Sequence, residues 1–401
     1  MQTSTALKIA AGILLIACIS AFALFTYQPG AGPAVNWEAG DDDPVLSFFP
    51  AGDGLFLVTG SNVSFVNETG HELWALPMAG GRHAALGGDG RLYVGTTDRG
   101  LASIDEGGNA SFTGIADIRQ PPLVDRAGTV YIRSLTRLTA YGNDGAELWS
   151  DAVAISDPAI DSGDNAYYLI RLPSRPSDVY LVSRSPDGRQ RWSMLFDRSF
   201  ADTLLVPAAS GVYVFSPLEG EVSRISSDGG TSWKYYKPYM GQYQALSSEN
   251  GHLFLVYQRG TVHALGVEGY LIGKYTLESS YDSNETALPA ASGDTLFTVG
   301  PDPSPSSAVL YATALNGSVL WKARLNSSTP CRIYASGDIV CVATELQKSS
   351  RAVPVLYIFN EGRLRRAQYP GDGQTWDKVS IVGETVYALT AGGKLYSLKG
   401  A

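Results

Sequence analysis

Apolar and polar residues alternate in short runs along most of this chain, and glycine and aspartate bound each run. Gly90-Arg91-Leu92-Tyr93-Val94, Gly128-Thr129-Val130-Tyr131-Ile132 and Gly383-Glu384-Thr385-Val386-Tyr387-Ala388-Leu389 can be laid over one another. A period of two predicts strands, and the residues between the runs are those that tight turns require. The runs recur in one order: a Gly turn, an apolar strand, a short break, a second apolar strand, another Gly turn, and often a Trp. The unit is about 40 residues long and fills the chain about nine times.

A repeat of this kind predicts an all-β, closed propeller of four-stranded blades, with strands lettered A to D from the axis outward. The outer D strands are marked by Trp37, Trp74, Phe112, Trp149, Trp192, Trp233, Tyr275, Trp321 and Leu364, rings suited to packing between blades. The two ends are complementary. The last unit, Val379 to Lys399, has A, B and C strands but no D strand, while Val35-Asn36-Trp37-Glu38 supplies a D-type Trp before any A strand. Pairing these ends would close a ring and leave no free sheet edge.

The motif resembles the pyrroloquinoline-quinone-type repeat of quinoprotein-like propellers, through Gly383 to Leu398, Gly90 to Asp105, and Asn143-Asp144-Gly145-Ala146-Glu147-Leu148-Trp149. The resemblance runs from about Val35 to the end of the chain. It implies eight blades, whereas nine units are counted, so eight is the runner-up. In size, N-terminal attachment and lack of cofactor residues the chain is similar to the propeller lipoproteins of outer-membrane protein assembly. No cofactor is expected. Quinone-dependent members use a disulfide between adjacent cysteines, and no adjacent pair is present here. The four histidines lack metal-ligand spacing, and no haem attachment motif exists.

Residues Leu7 to Tyr27 are almost wholly apolar, interrupted by Lys8, long enough to cross a bilayer as one helix. The expected organisation is a cytoplasmic stub and anchor over 1–28, a linker over 29–34 and the propeller over 35–401. A cleaved signal peptide is the alternative, and Leu15-Ile16-Ala17-Cys18 has the form of a lipidation site. Lys8 and the free amine at the N-terminal end of this run put the propeller on the extracytoplasmic side of the cell membrane. Asn62, Asn67, Asn109, Asn284, Asn316 and Asn326 each begin an Asn-X-Ser/Thr glycosylation sequon. Cys331 and Cys341 flank a predicted hairpin at Ala335-Ser336-Gly337, so either a disulfide or two buried thiols fits. The net charge of -9 argues against nucleic acid as a partner.

Loops mark one face of the disc. The A–B and C–D turns are short throughout, whereas the long connections are B–C (Arg171 to Asp178, Pro301 to Ser307, Glu345 to Pro354) and D–A (Tyr235 to Gln244, Glu278 to Ala287, Gln368 to Asp377). Long loops beyond what turning needs commonly carry function. A protein partner is therefore expected on that face, anchored by Tyr236, Tyr239, Tyr243 and Trp376 with Arg171 and Arg175 beside them; Tyr281 and Tyr369 lie in neighbouring connections. The plainer alternative is that these rings cover the groove between blades. Arg363, Arg365 and Arg366 fall on an outer strand and read as a solvated edge, and Asp41-Asp42-Asp43 as a solvated linker. The expected function is a non-catalytic, membrane-anchored scaffold that binds a protein; the alternatives are a quinoprotein-like oxidoreductase and a carbohydrate-binding or adhesion module.

Overall fold

The computed structural model describes residues 35–399 apart from 79–82, 98, 116–117, 119, 135–136, 176, 197–202, 217–218, 238–242, 248–250, 258–259, 278–288, 303–306, 328–331 and 349–350. Among them are nine antiparallel sheets, each of four strands. Eight are continuous in sequence, beginning at Val45, His83, Leu123, Ala159, Leu204, Tyr243, Ala290 and Arg332. The ninth is composite: Trp376–Val382, Thr385–Thr390 and Leu395–Lys399 are completed by Val35–Ala39. The count of nine units therefore stands as nine blades. No helix among the described residues is long and apolar enough to cross a membrane, and the apolar run Leu7 to Tyr27, with Cys18, lies outside them.

Burial follows from packing blade against blade. Inner strands are covered on both faces, so Leu55, Phe56, Leu57 and Val58 are buried in succession and read as a continuous apolar run. Outer strands such as Glu72–Pro77 alternate exposed and half-buried residues. The core is correspondingly divided into clusters between neighbours: Tyr213 and Phe215 of blade 5 meet Leu253, Leu255 and Tyr257 of blade 6.

One contact recurs around the ring. The outer-strand indole of one blade lies on the glycine that closes the C–D turn of the next, and its N–H donates to a carbonyl in that turn. Trp37 reaches Glu68 O at 2.9 Å, Trp74 Glu106 O at 2.8 Å, Trp192 Ser227 O at 2.8 Å and Trp233 Val267 O at 2.9 Å. At Gly269, with φ +78°, a Cβ would stand 2.3 Å from the Trp233 ring, so only glycine admits both the turn and the ring.

Two of the nine marks need correction. In most blades a bulge near the end of the C–D ladder turns the ring toward the next blade, as between Phe65 and Val66 opposite Trp74. Blade 2 lacks this bulge, so Phe112 faces the other way, is 39% exposed, and lies under the Arg99 guanidinium at 3.9 Å. In blade 8 the bulge puts Arg366 opposite Ile358, in the register that Trp74 holds in blade 1; Leu364, the expected mark, is 38% exposed. Arg366 Nε donates to Gln368 Oε1 at 2.8 Å. The cluster Arg363, Arg365 and Arg366 is thus on the outer strand as expected, with Arg366 partly folded inward.

The ring closes as the two ends imply. Trp37 pairs with Ser397 and Glu38 with Tyr396 in antiparallel register. Asp41-Asp42-Asp43, expected to be a solvated linker, belongs to the seam. Asp41 and Glu38 hold Lys394 Nζ at 3.1 and 3.3 Å. Asp43 accepts the Ser61 and Thr59 hydroxyls, each at 2.5 Å, and those bonds keep its carboxyl below the usual range. Lys378 Nζ of blade 9 donates to Phe48 O of blade 1 at 2.8 Å and lies over the Phe48 and Phe49 rings at 4.7 and 4.5 Å.

Gly269 and Gly90 isolate the value of the ring contact, because both have φ near +80° and a Cβ at Gly90 meets nothing within 4 Å. Gly90→Ala should cost about 1 kcal/mol in urea unfolding, from backbone strain alone. Gly269→Ala should cost at least about 2 kcal/mol more, through the displaced Trp233. Equal losses at the two sites would show that the indole contributes nothing there.

Candidate functional site

On the long-connection face the structure separates the expected residues. Tyr236 ends strand D of blade 5 opposite Glu221 and is 54% exposed. Arg171 ends strand B of blade 4, its N–H donating to Val153 O at 3.0 Å. Arg175 sits in the adjoining loop, its N–H on Leu172 O and its carbonyl accepting Asp178 N–H. Tyr239 and Tyr281 lie outside the described residues, as does the side chain of Tyr243. Tyr369 is exposed. Trp376 is not a surface anchor. It is 5% exposed, edge-on to Tyr396 with centroids 5.5 Å apart, among Cys341, Leu356 and Val379 between blades 8 and 9. It opens strand A opposite Thr390, where the ring turns into the interface and not into solvent.

The stretch Glu345 to Pro354, expected to be a loop, is mostly strand. Ile339–Lys348 and Arg351–Asn360 stay paired as far as Lys348 and Arg351. Among the described residues strand A pairs as far as Ala343 and strand D as far as Leu356, and strands B and C run on beyond them as a two-stranded arm. Its base is held by the Ser327 hydroxyl, 2.6 Å from Glu345 O and 2.7 Å from Thr344 Oγ1, and by Leu346 and Val353 against the blade 7 core. Cys341 is a free, buried thiol opposite Tyr334, and burial pushes its pKa up; Cys331 lies outside the described residues.

Of the sequon asparagines, Asn109, Asn316 and Asn326 are exposed, Asn62 and Asn67 half-buried, and Asn284 is outside the described residues. Asn67 and Asn316 also shape C–D turns. The Thr69 hydroxyl donates to Asn67 Oδ1 at 2.7 Å and the Ser318 hydroxyl to Asn316 Oδ1 at 2.8 Å. The Asn-X-Ser/Thr pattern at these two places is therefore also a turn signal.

Beside Tyr235, between blades 5 and 6, lies a buried imidazole. His263 is 1% exposed, with Nδ1 2.8 Å from Tyr235 Oη and the Tyr257 ring edge-on at 4.8 Å. Its Nε2 has no partner. Loss of solvation, then the charges of Lys274 and Lys237, push its pKa down to about 4. The neutral ring is a packing group at pH 7.

The opposite face carries a groove that the sequence reading did not anticipate. It has a volume of about 510 Å³ and lies between blades 7 and 8. Phe297 and Trp321 form its aromatic wall, Asp294, Asp338 and Glu361 its acidic rim, and Ser292 also lines it. Asp294 Oδ1 is 2.9 Å from His252 Nδ1. Glu361 has φ +49°, a left-handed backbone unusual for glutamate. Among the described residues no three His, Cys, Asp or Glu gather as metal ligands. The signal that could have found this groove is the turn Asn360-Glu361-Gly362-Arg363, one residue shorter than its counterparts.

Residues 59–159 match the PQQ-like repeat model described as outer membrane protein assembly factor BamB. Over those residues the repeat is of the pyrroloquinoline-quinone type. No curated protein matches the chain. Among solved structures, a eukaryotic initiation factor is 12% identical over 83% of this chain and 89% of its own, with a TM-score of 0.60. BamB from Moraxella catarrhalis is 14% identical over 91% and 96%, with a TM-score of 0.47. Virginiamycin B lyase from Staphylococcus aureus is 10% identical over 80% and 94%, with a TM-score of 0.42. The likeness to the initiation factor speaks to the fold alone, and one fold hosts unrelated activities.

The depressed pKa of His263 makes a pH prediction with a definite sign. The folded state holds the ring neutral, so its contribution is fully present above the ordinary value of 6.5 and is lost as pH falls toward 4. Wild-type protein should lose about 3 kcal/mol of stability from this group between pH 7 and pH 4. His263→Gln should be less stable at pH 7 yet show a flatter profile across that window. A variant profile parallel to that of wild type would show that His263 does not titrate in this way.

Proposed function

We propose that the chain is a membrane-anchored, extracytoplasmic propeller that works as a non-catalytic scaffold, binding a protein partner on its long-connection face. The observation that carries this reading is the blade 8 arm, a two-stranded projection beyond a four-stranded sheet. An added strand would find few backbone partners there: the Ser327 hydroxyl already meets Glu345 O, and Pro354 lacks an N–H. Recognition through side chains on the arm and on the exposed Tyr236 is the mode that suits it.

Supporting features agree with this reading. The family model that matches is described as an assembly factor of the outer membrane. The apolar run Leu7 to Tyr27 supplies an anchor, and the exposed sequons at Asn109, Asn316 and Asn326 suit an extracytoplasmic surface. A rigid closed ring presents loops at fixed spacing, which lowers the ordering cost of binding.

Two measurements test the proposal. Full-length protein should stay in the membrane pellet after an alkaline carbonate wash, and release to the supernatant would make it a secreted protein. Replacing Gln347 to Ala352 by an Asn-Gly turn should reduce capture of a membrane partner at least about tenfold with little change in melting temperature. Unaltered capture by a folded arm variant would remove the arm from the interface.

A further inference from the structure

The groove between blades 7 and 8 exists because one latch of the ring is incomplete. In blade 1 the paired residues Val66 and Glu72 enclose a turn over 67–71, and in blade 6 Leu265 and Leu271 enclose 266–270. In blade 8 Phe359 and Leu364 enclose only 360–363. Gly362 still receives the Trp321 ring, with a Cβ there 2.7 Å from it. The shorter turn drives Glu361 into the left-handed region, and the indole N–H of Trp321 reaches no carbonyl.

We propose that this groove is a binding site for an uncharged saccharide unit. Asp294, which His252 Nδ1 already meets at 2.9 Å, Asp338 and Glu361 only accept hydrogen bonds when ionised, and no Lys, Arg or His side chain is among the lining residues. Trp321 Nε1–H only donates. A ligand must therefore both donate and accept at short spacing, which ring hydroxyls do. A lysine or arginine side chain donates only and leaves the indole N–H unmet. An anion meets three carboxylates. The apolar side of a sugar ring suits Phe297 and Trp321, and the volume of about 510 Å³ is within the range of small-molecule sites.

The test uses the full chain and saturation-transfer NMR with glucose, N-acetylglucosamine, cellobiose and chitobiose, with glucuronate as the acidic control. At least one uncharged sugar should give saturable transfer, and glucuronate should bind at least about tenfold more weakly. Trp321→Phe keeps a ring on Gly362 but deletes the donor, and should weaken binding about tenfold. Glu361→Gly removes one carboxylate together with the backbone strain. It should weaken binding to a similar extent while the melting temperature holds or rises. If Trp321→Phe fails to fold, Glu361→Gly decides alone. No saturable transfer from any uncharged sugar, equal binding of glucuronate, or wild-type affinity in Glu361→Gly would each overturn the proposal.

Discussion

The structure depends on an aromatic ring laid on a bare backbone. Each blade is a twisted sheet whose faces must be covered by its neighbours, and at the rim, where blades splay apart, little else holds them together. Trp233 on Gly269, with its N–H on Val267 O, shows how the gap is filled. The contact combines a large apolar area with a directional bond, so it fixes the angle between blades as well as their attraction. Repeated with small changes, it sets the step from blade to blade.

The departures from that contact are as informative as its repeats. At blades 3 and 4 the Trp149 N–H is buried without a partner, and the Arg184 guanidinium lies over the indole at 5.1 Å. Arg184 pairs with Asp151 at 2.8 Å and donates to Tyr168 Oη at 2.7 Å. An ion pair there carries what a carbonyl carries elsewhere. At blades 7 and 8 nothing takes the carbonyl's place, and a groove opens.

Much of this was legible in the sequence because a strand covered on both faces must be apolar throughout, and a turn with φ above zero must carry glycine. Ring closure was legible for the same reason, since Val35 to Glu38 and Val379 to Lys399 are incomplete halves of one pattern. What could not be read was register. A single bulge decides whether Phe112 or its neighbour faces the next blade, and whether Arg366 or Leu364 holds the position of the indole. The same limit hid Trp376, whose composition suggests an exposed loop but whose pairing with Thr390 places it in the core. Glu345 to Pro354 looked like a loop because it is polar and contains a proline, and only the strand pairing shows it to be ladder. The groove was hidden because it arises from one missing residue, which no residue type announces.

The seam between Val35–Ala39 and Leu395–Lys399 has a consequence for the order of folding. Blades 1 to 8 are local hairpin assemblies that can form as the chain emerges, each one resting on the last. Blade 9 cannot form until strands from opposite ends of the array meet, and the entropy of closing that loop is met in a single late event. Until then Val45 lacks the Gly393 carbonyl, 2.9 Å away in the closed ring, and Phe48 lacks the Lys378 ammonium. A nascent chain would therefore hold an unclosed arc with two live edges, the interval in which a chaperone or a neighbouring copy could capture it.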